Sequence, residues 1–173
     1  MSDVLYPLTI FRQGGVMPST TLVEEAGVPQ PYRGLLVHGG DMTSRLEDHH
    51  RDNMALDVLR LENTDAGYRR EVVLRTERGR KAVEYGAIEI FLGAFDLELQ
   101  TRILEGRQPL GGLLNEYDIN YRSVPRGYFR MEADAALADI FSVPAGQHLW
   151  GRSNQLLGEA DKLLARIVEV LRP

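Results

Sequence analysis

The stretch that decides the fold is Tyr68-Arg69-Arg70-Glu71-Val72-Val73-Leu74-Arg75-Thr76, followed by Glu77-Arg78-Gly79-Arg80 and a second apolar run from Lys81 to Leu92. Side chains alternate across a strand, so residues two apart share a face. One face of the first run then carries Tyr68, Arg70, Val72 and Leu74; the other carries Arg69, Glu71, Val73 and Arg75. Two alternating runs around a short Gly-containing turn predict a β-hairpin.

The same logic extends outward. Met54 to Glu62 reads as a strand, with a slip at Val58-Leu59 that suggests a bulge. Phe95 to Glu105 places Leu97, Ile103 and Leu104 at helical spacing, with Gly106 as a stop. Leu113 to Val124 is expected to lead into another strand, and Asp134 to Phe141 to form a short helix ended by Ser142-Val143-Pro144. Leu149 to Leu157 and Leu163 to Leu171 pair around Gly158 to Asp161 as a final hairpin. Residues 12–31, broken by Gln13-Gly14-Gly15 and Pro29-Gln30-Pro31, read as loop with at most short helix. Consecutive hairpins interrupted by helices predict an α+β fold: an antiparallel sheet with helices covering one face. The chain length and the absence of linkers or repeats predict a single domain over residues 1–173.

Two charges break this pattern. Arg70 lies on the apolar face of its strand, and Glu169 lies between Ile167 and Leu171 on the more apolar face of the last one. Ionised side chains are rarely buried unless they are paired, because desolvating them costs several kcal/mol. Three readings follow from the pattern: a structural Arg70–Glu169 ion pair, a misplaced register with one of them in water, or a polar pocket inside an apolar enclosure. In the last, the Arg fork would hold a carboxylate and the Glu would act on a hydroxyl.

Bulk properties narrow the partners. The chain lacks cysteine, which excludes thiolate catalysis, disulfides and iron–sulfur clusters and fits a reducing, cytoplasmic setting. The N-terminus has no signal-peptide pattern and no apolar run approaches the ~20 residues of a membrane helix, so no membrane partner is expected. A net charge of −5 argues against a nucleic-acid partner. Asp48-His49-His50-Arg51-Asp52 lacks metal-ligand spacing and is expected to be an exposed polar turn, with no metal. His38 and His148 read as ordinary packing or surface residues, His38 drawing attention because Gly39-Gly40 follows. Arg152 reads as a salt-bridge residue that would also add positive potential, Trp150 as a core anchor, and Arg75, Arg78, Arg80 and Lys81 as a solvated hairpin tip. No nucleophile elbow, P-loop or dinucleotide fingerprint is present.

Four segments in order resemble the chorismate pyruvate-lyase family: Asp41-Met42-Thr43-Ser44-Arg45-Leu46-Glu47; Tyr68-Arg69-Arg70-Glu71-Val72-Val73-Leu74; Gln108-Pro109-Leu110-Gly111-Gly112-Leu113-Leu114; and Leu149-Trp150-Gly151-Arg152 with Val168-Glu169-Val170-Leu171-Arg172-Pro173. The resemblance spans residues 35–173 and leaves residues 1–30 poorly matched. It implies a sheet of about six antiparallel strands, an ordinary sheet size, and an enclosed site under flaps around residues 30–45 and 106–115. It implies a lyase that eliminates pyruvate from chorismate to give 4-hydroxybenzoate, without cofactor or metal, in a monomer or small homo-oligomer. Arg70 would hold the ring carboxylate and Glu169 would sit near the ring C4 hydroxyl as base or acceptor. The backbone at Met42 and in the Leu110-Gly111 turn would hydrogen-bond the ligand. The segment departs from the family pattern after Gly111, continuing Gly112-Leu113-Leu114-Asn115. The alternatives are a related enzyme on another chorismate-derived substrate, or a non-catalytic domain that binds an aromatic carboxylate, since the effector domains of GntR-type regulators resemble this same fold. Residues 1–30 are too short a stretch to hold the winged helix of such a regulator.

Overall fold

A computed structural model describes residues 4–12 and 15–172 of the chain. Gln13 and Gly14 of the expected loop, and Pro173 of the closing motif, lie outside the described residues. In chain order the elements are α1 (Leu8–Phe11), β1 (Thr20–Val23), α2 (Tyr32–Leu36), α3 (Met42–His50), β2 (Met54–Thr64), β3 (Gly67–Thr76), β4 (Ala82–Ile90), α4 (Leu97–Leu104), α5 (Leu110–Glu116), β5 (Arg122–Glu132), α6 (Ala135–Phe141), β6 (His148–Leu157) and β7 (Leu163–Leu171), with short 3-10 turns between some of them.

The strands form one seven-stranded sheet in the order β1-β5-β6-β7-β4-β3-β2. Every pair in it is antiparallel. The expected hairpins are β3–β4 and β6–β7, and β2 carries the bulge, its register to β3 shifting between Val58 and Arg60. The seventh strand, β1, comes from the stretch read as loop: Thr20–Val23 pairs with β5 at the sheet edge. Four residues with only partial burial leave too little alternation to reveal a strand.

The face that carries Arg70 is covered by α2 to α5, whose Leu36, Met42, Leu99 and Leu113 pack on strand residues such as Leu74, Ile88 and Leu171. On the opposite face, α1 and α6 press Leu8, Phe11, Leu137 and Phe141 onto Val73, Tyr85, Ala87 and Val168. With both faces covered, every residue of β4 is buried. β4 also runs so close to β7 that a Cβ on Gly86 would lie 2.7 Å from the Val168 carbonyl oxygen.

Asp residues start three of the helices: Asp41, Asp96 and Asp134 accept the backbone N–H of Ser44, Leu99 and Leu137. Such caps satisfy one of the free donors of a helix's first turn. Two sequence expectations need correction. Leu113 does not lead directly into a strand, because Leu110, Leu113 and Leu114 are buried at the spacing of one helix face and define α5, and β5 begins only at Arg122. The Asp48-His49-His50 segment is no turn but the end of α3, which stops at Arg51 in the left-handed region with φ 51°.

Candidate functional site

Register places the inward residues of four strands on one patch. Arg70 on β3 stands opposite Ile88 on β4, which stands opposite Ile167 on β7, which stands opposite Asn154 on β6. Two residues along, Val72, Gly86, Glu169 and Arg152 form the next row. The N-terminal turns of α3 and α5 cross above, and between helices and sheet lies a cavity with about 560 Å³ of empty space including its opening. Arg70, Glu169, Met42, Leu110 and Gly111 all line it, so the sheet and the two helix starts bring together the five residues assigned to a ligand site from the sequence.

Arg70 is 1% exposed. Its Nη2 donates to the Gln108 carbonyl at 3.3 Å, while Nε and Nη1 have no partner. Burial pushes its pKa down, opposed by Tyr68. The hypothesised Arg70–Glu169 ion pair is absent. Glu169 pairs instead with Arg152, its neighbour directly across β6–β7, with Nε donating to Oε2 at 2.5 Å. Arg152 is fully buried; its Nη1 donates to the Leu36 and His38 carbonyls at 2.9 and 3.2 Å, and Nη2 is left without a partner. Arg152 thus clamps the segment after α2 to the sheet as well as holding Glu169.

Glu84 was not singled out from the sequence. It is buried on β4, diagonally across from Glu169 on the same face, and its Oε2 has no partner. Burial, then the nearby Glu169 carboxylate, raises its pKa well above the ordinary carboxylate range, with Arg152 offsetting part of this. Like carboxylates in a dry site resist sharing two negative charges. The strand alternation that exposed Arg70 also applies to Glu84 among Val83, Tyr85 and Gly86. Glu89, however, interrupts the same strand equally, yet faces the other way and is bound by Arg69 and Tyr6. Asn154 adds a further free group: its Nδ2 donates to Ser123 Oγ at 2.6 Å and its Oδ1 is buried without a partner.

The cover is tied together by Asp41, which accepts from Ser44 N–H at 2.7 Å and from Asn115 Nδ2 at 3.2 Å, joining α3 to α5. These bonds outweigh its burial and hold its carboxyl below the usual range. Gly111 fits against it so closely that a Cβ there would lie 3.0 Å from Asp41 Cβ and Oδ2. His38 sits beside the site rather than in it. Gly40 N–H donates to its Nδ1 and its Nε2 lies 2.8 Å from the Leu35 carbonyl, which fixes a neutral ring with the proton on Nε2. Burial, with Arg152 and Arg45 nearby, lowers its pKa to about 4. His148 is exposed, and Trp150 is half-buried against Tyr32 with ring centroids 6.4 Å apart. Among the described residues no helix is long and apolar enough to cross a membrane.

No protein-family model matches the chain, and no curated protein matches it. Solved structures do. PhnF of Mycobacterium smegmatis is 11% identical with a TM-score of 0.59, covering 98% of this chain and 94% of its own. Its effector domain alone is 12% identical with a TM-score of 0.57, covering 77% of this chain and 88% of its own. A domain assigned as the ligand-binding part of a GntR-family transcriptional regulator of Bordetella bronchiseptica is 13% identical with a TM-score of 0.50, covering 68% and 85%. The expectation of a chorismate lyase is thereby corrected: the matched structures are an effector domain and the ligand-binding domain of a GntR-family transcriptional regulator. At these identities the likeness concerns the fold, and the chain has the α+β, antiparallel-sheet fold seen in those effector domains.

Proposed function

We propose that the chain is a non-catalytic binding domain for a small organic anion of the aromatic-carboxylate class, with residues 1–173 forming one domain. The observation that carries this reading is the Arg70 guanidinium, buried on a cavity wall without a carboxylate partner and with two nitrogens, Nε and Nη1, unbonded. A buried cation without a counter-ion costs several kcal/mol. A bound carboxylate would remove that penalty with a charge-assisted fork, and Val72, Ile88, Leu156 and Ile167 supply apolar wall for a ring. Met42, Leu110 and Gly111 would close over the ligand, their backbone within reach of it, and Glu169 would face its far side. The likeness to effector domains supports sensing over turnover.

The test is thermal unfolding and calorimetric titration with 4-hydroxybenzoate and with inorganic phosphate. A ligand that binds only the folded state raises Tm, by about 2.7 kcal/mol of stabilisation at a hundred times Kd. Binding of 4-hydroxybenzoate, tighter than that of phosphate and abolished in Arg70→Met, is the expected result. No shift with either anion, or equal binding by Arg70→Met, would sink the reading.

A further inference from the structure

The cavity is polar at two separated places, and anion capture at Arg70 uses only one of them. Arg70 is opposite Ile88, whereas Glu84 lies four residues further along β4. At the usual strand rise that is about 13 Å along the strand between backbone positions, with both side chains reaching inward. The charges on the walls do not cancel locally. Arg152 bonds Glu169 through Nε and two carbonyls through Nη1, and Asp41 bonds Ser44 and Asn115, which leaves Arg70 without an anion at one end and, at the other, Glu84 with an unpartnered Oε2 and one nearby cation, Arg152, shared with Glu169. The groups facing Glu84 are Leu74 of β3, Leu171 and Glu169 of β7, and Arg152 of β6. The single cation among them already serves a second carboxylate.

We infer that the ligand is amphoteric: its anionic end binds Arg70, and a protonated amine at its other end binds between Glu84 and Glu169. This rests on the anion-binding reading above and deepens it. A second arginine would suit a dianion, and an apolar end would suit a fatty acid. Two carboxylates around one arginine suit a cation, because an ammonium supplies the missing positive charge and three donors for lone pairs that now lack them. The free Asn154 Oδ1 on the same wall is a further acceptor for such a donor. In the empty site the proton on Glu84 substitutes for that charge, since burial and Glu169 favour the neutral acid. A bound ammonium would displace it, so binding should release a proton.

The test uses the full chain and matched probes: 4-(aminomethyl)benzoate against 4-methylbenzoate, and 4-aminobutyrate against butyrate. Affinities are measured by calorimetry for the wild type, Arg70→Met and Glu84→Gln, and wild-type titrations are repeated in two buffers of different ionisation heat. The amine-bearing member of at least one pair should bind about tenfold tighter than its partner, and in Glu84→Gln this preference should fall below about threefold. Arg70→Met should abolish binding of both members, and proton release should accompany only the amine-bearing probe. Equal binding within both pairs, or a preference that survives Glu84→Gln, overturns the inference. If Arg70→Met still abolishes that binding, the anion-binding reading survives. Absence of binding by every probe overturns both. If Glu84→Gln does not fold, the wild-type proton count decides, and a count of zero overturns the inference.

Discussion

Arg152 and Glu169 face each other directly across β6 and β7 and form a fully buried ion pair, Nε to Oε2 at 2.5 Å. The pair is more than a local contact. Arg152 Nη1 also holds the Leu36 and His38 carbonyls, so one guanidinium joins two strands to the segment that follows α2.

Truncating Arg152 should therefore be the most destabilising single change in the site. Arg152→Ala strands Glu169 beside Glu84 and frees two buried carbonyls, and breaking a buried pair from one side costs about 3–5 kcal/mol. Glu169→Gln leaves an uncharged acceptor for Arg152 and should cost less. Urea unfolding of both variants checks the order. If Glu169→Gln proves the worse of the two, Arg152 is not the organising residue.

Arg70 should behave in the opposite way. Its Nη2 bonds the Gln108 carbonyl and Tyr68 offsets part of the burial, but Nε and Nη1 have no partner, so the folded chain carries a desolvation penalty that is only partly compensated. Arg70→Met keeps most of the apolar stem and removes the charge, and should leave stability unchanged or raise it by about 1 kcal/mol, as functional sites often trade stability for binding. The comparison is thermal unfolding without ligand. A loss of several kcal/mol would mean that Arg70 is structural after all.

The contrast between these two arginines marks how far the sequence could be read. Alternation around Tyr68 to Thr76 and Leu163 to Leu171 was sufficient to place Arg70 and Glu169 on inward faces, because strand period is a local property. Which charges pair is decided by register between strands distant in sequence. Arg152 meets Glu169 only because Ile167 lies opposite both Ile88 and Asn154, and no local pattern encodes that. α5 was hidden for another reason: Gly111-Gly112 lowers helix propensity, and at Gly111 the closeness of Asp41 requires a small residue. β1 is recruited by pairing with β5, not by its own composition. The lyase expectation is overturned by the likeness to effector and ligand-binding domains and not by the geometry of the site. The motif residues do meet in one cavity, but Glu169 is engaged and Glu84, which no motif flagged, is free.

Gly86 tests the packing beneath the cavity. A Cβ there would lie 2.7 Å from the Val168 carbonyl oxygen, which belongs to the β4–β7 ladder and cannot swing aside as a side chain would. Gly86→Ala should cost about 1–3 kcal/mol, the range for overpacked cores. It should also weaken ligand binding by displacing Glu84 or Glu169, read from calorimetry beside the unfolding curve. An unchanged Tm would show that β4 and β7 have more freedom than their spacing implies.

Glu84 links the site to pH. Its folded pKa is raised above the unfolded value, so the carboxyl is neutral in the folded chain when it would already be ionised in the unfolded one. By linkage, the folded state then binds more protons than the unfolded state between those two values, and stability falls as pH rises. The contribution is fully present below the unfolded carboxylate pKa of about 4.3 and is lost progressively as pH climbs toward the raised folded value. Glu84→Gln removes the titrating proton while keeping the shape. The variant should match the wild type near the lower limit and become the more stable of the two at neutral pH, giving unfolding curves that diverge with rising pH. His38 adds the reverse slope on the acid side. Held neutral with a pKa lowered to about 4, it costs stability as pH falls from its ordinary range, so the comparison is made against a His38→Gln background to separate the two. If the wild type and Glu84→Gln remain parallel from acid to neutral pH, Glu84 is already ionised in the folded chain and a cation within the structure must be balancing it.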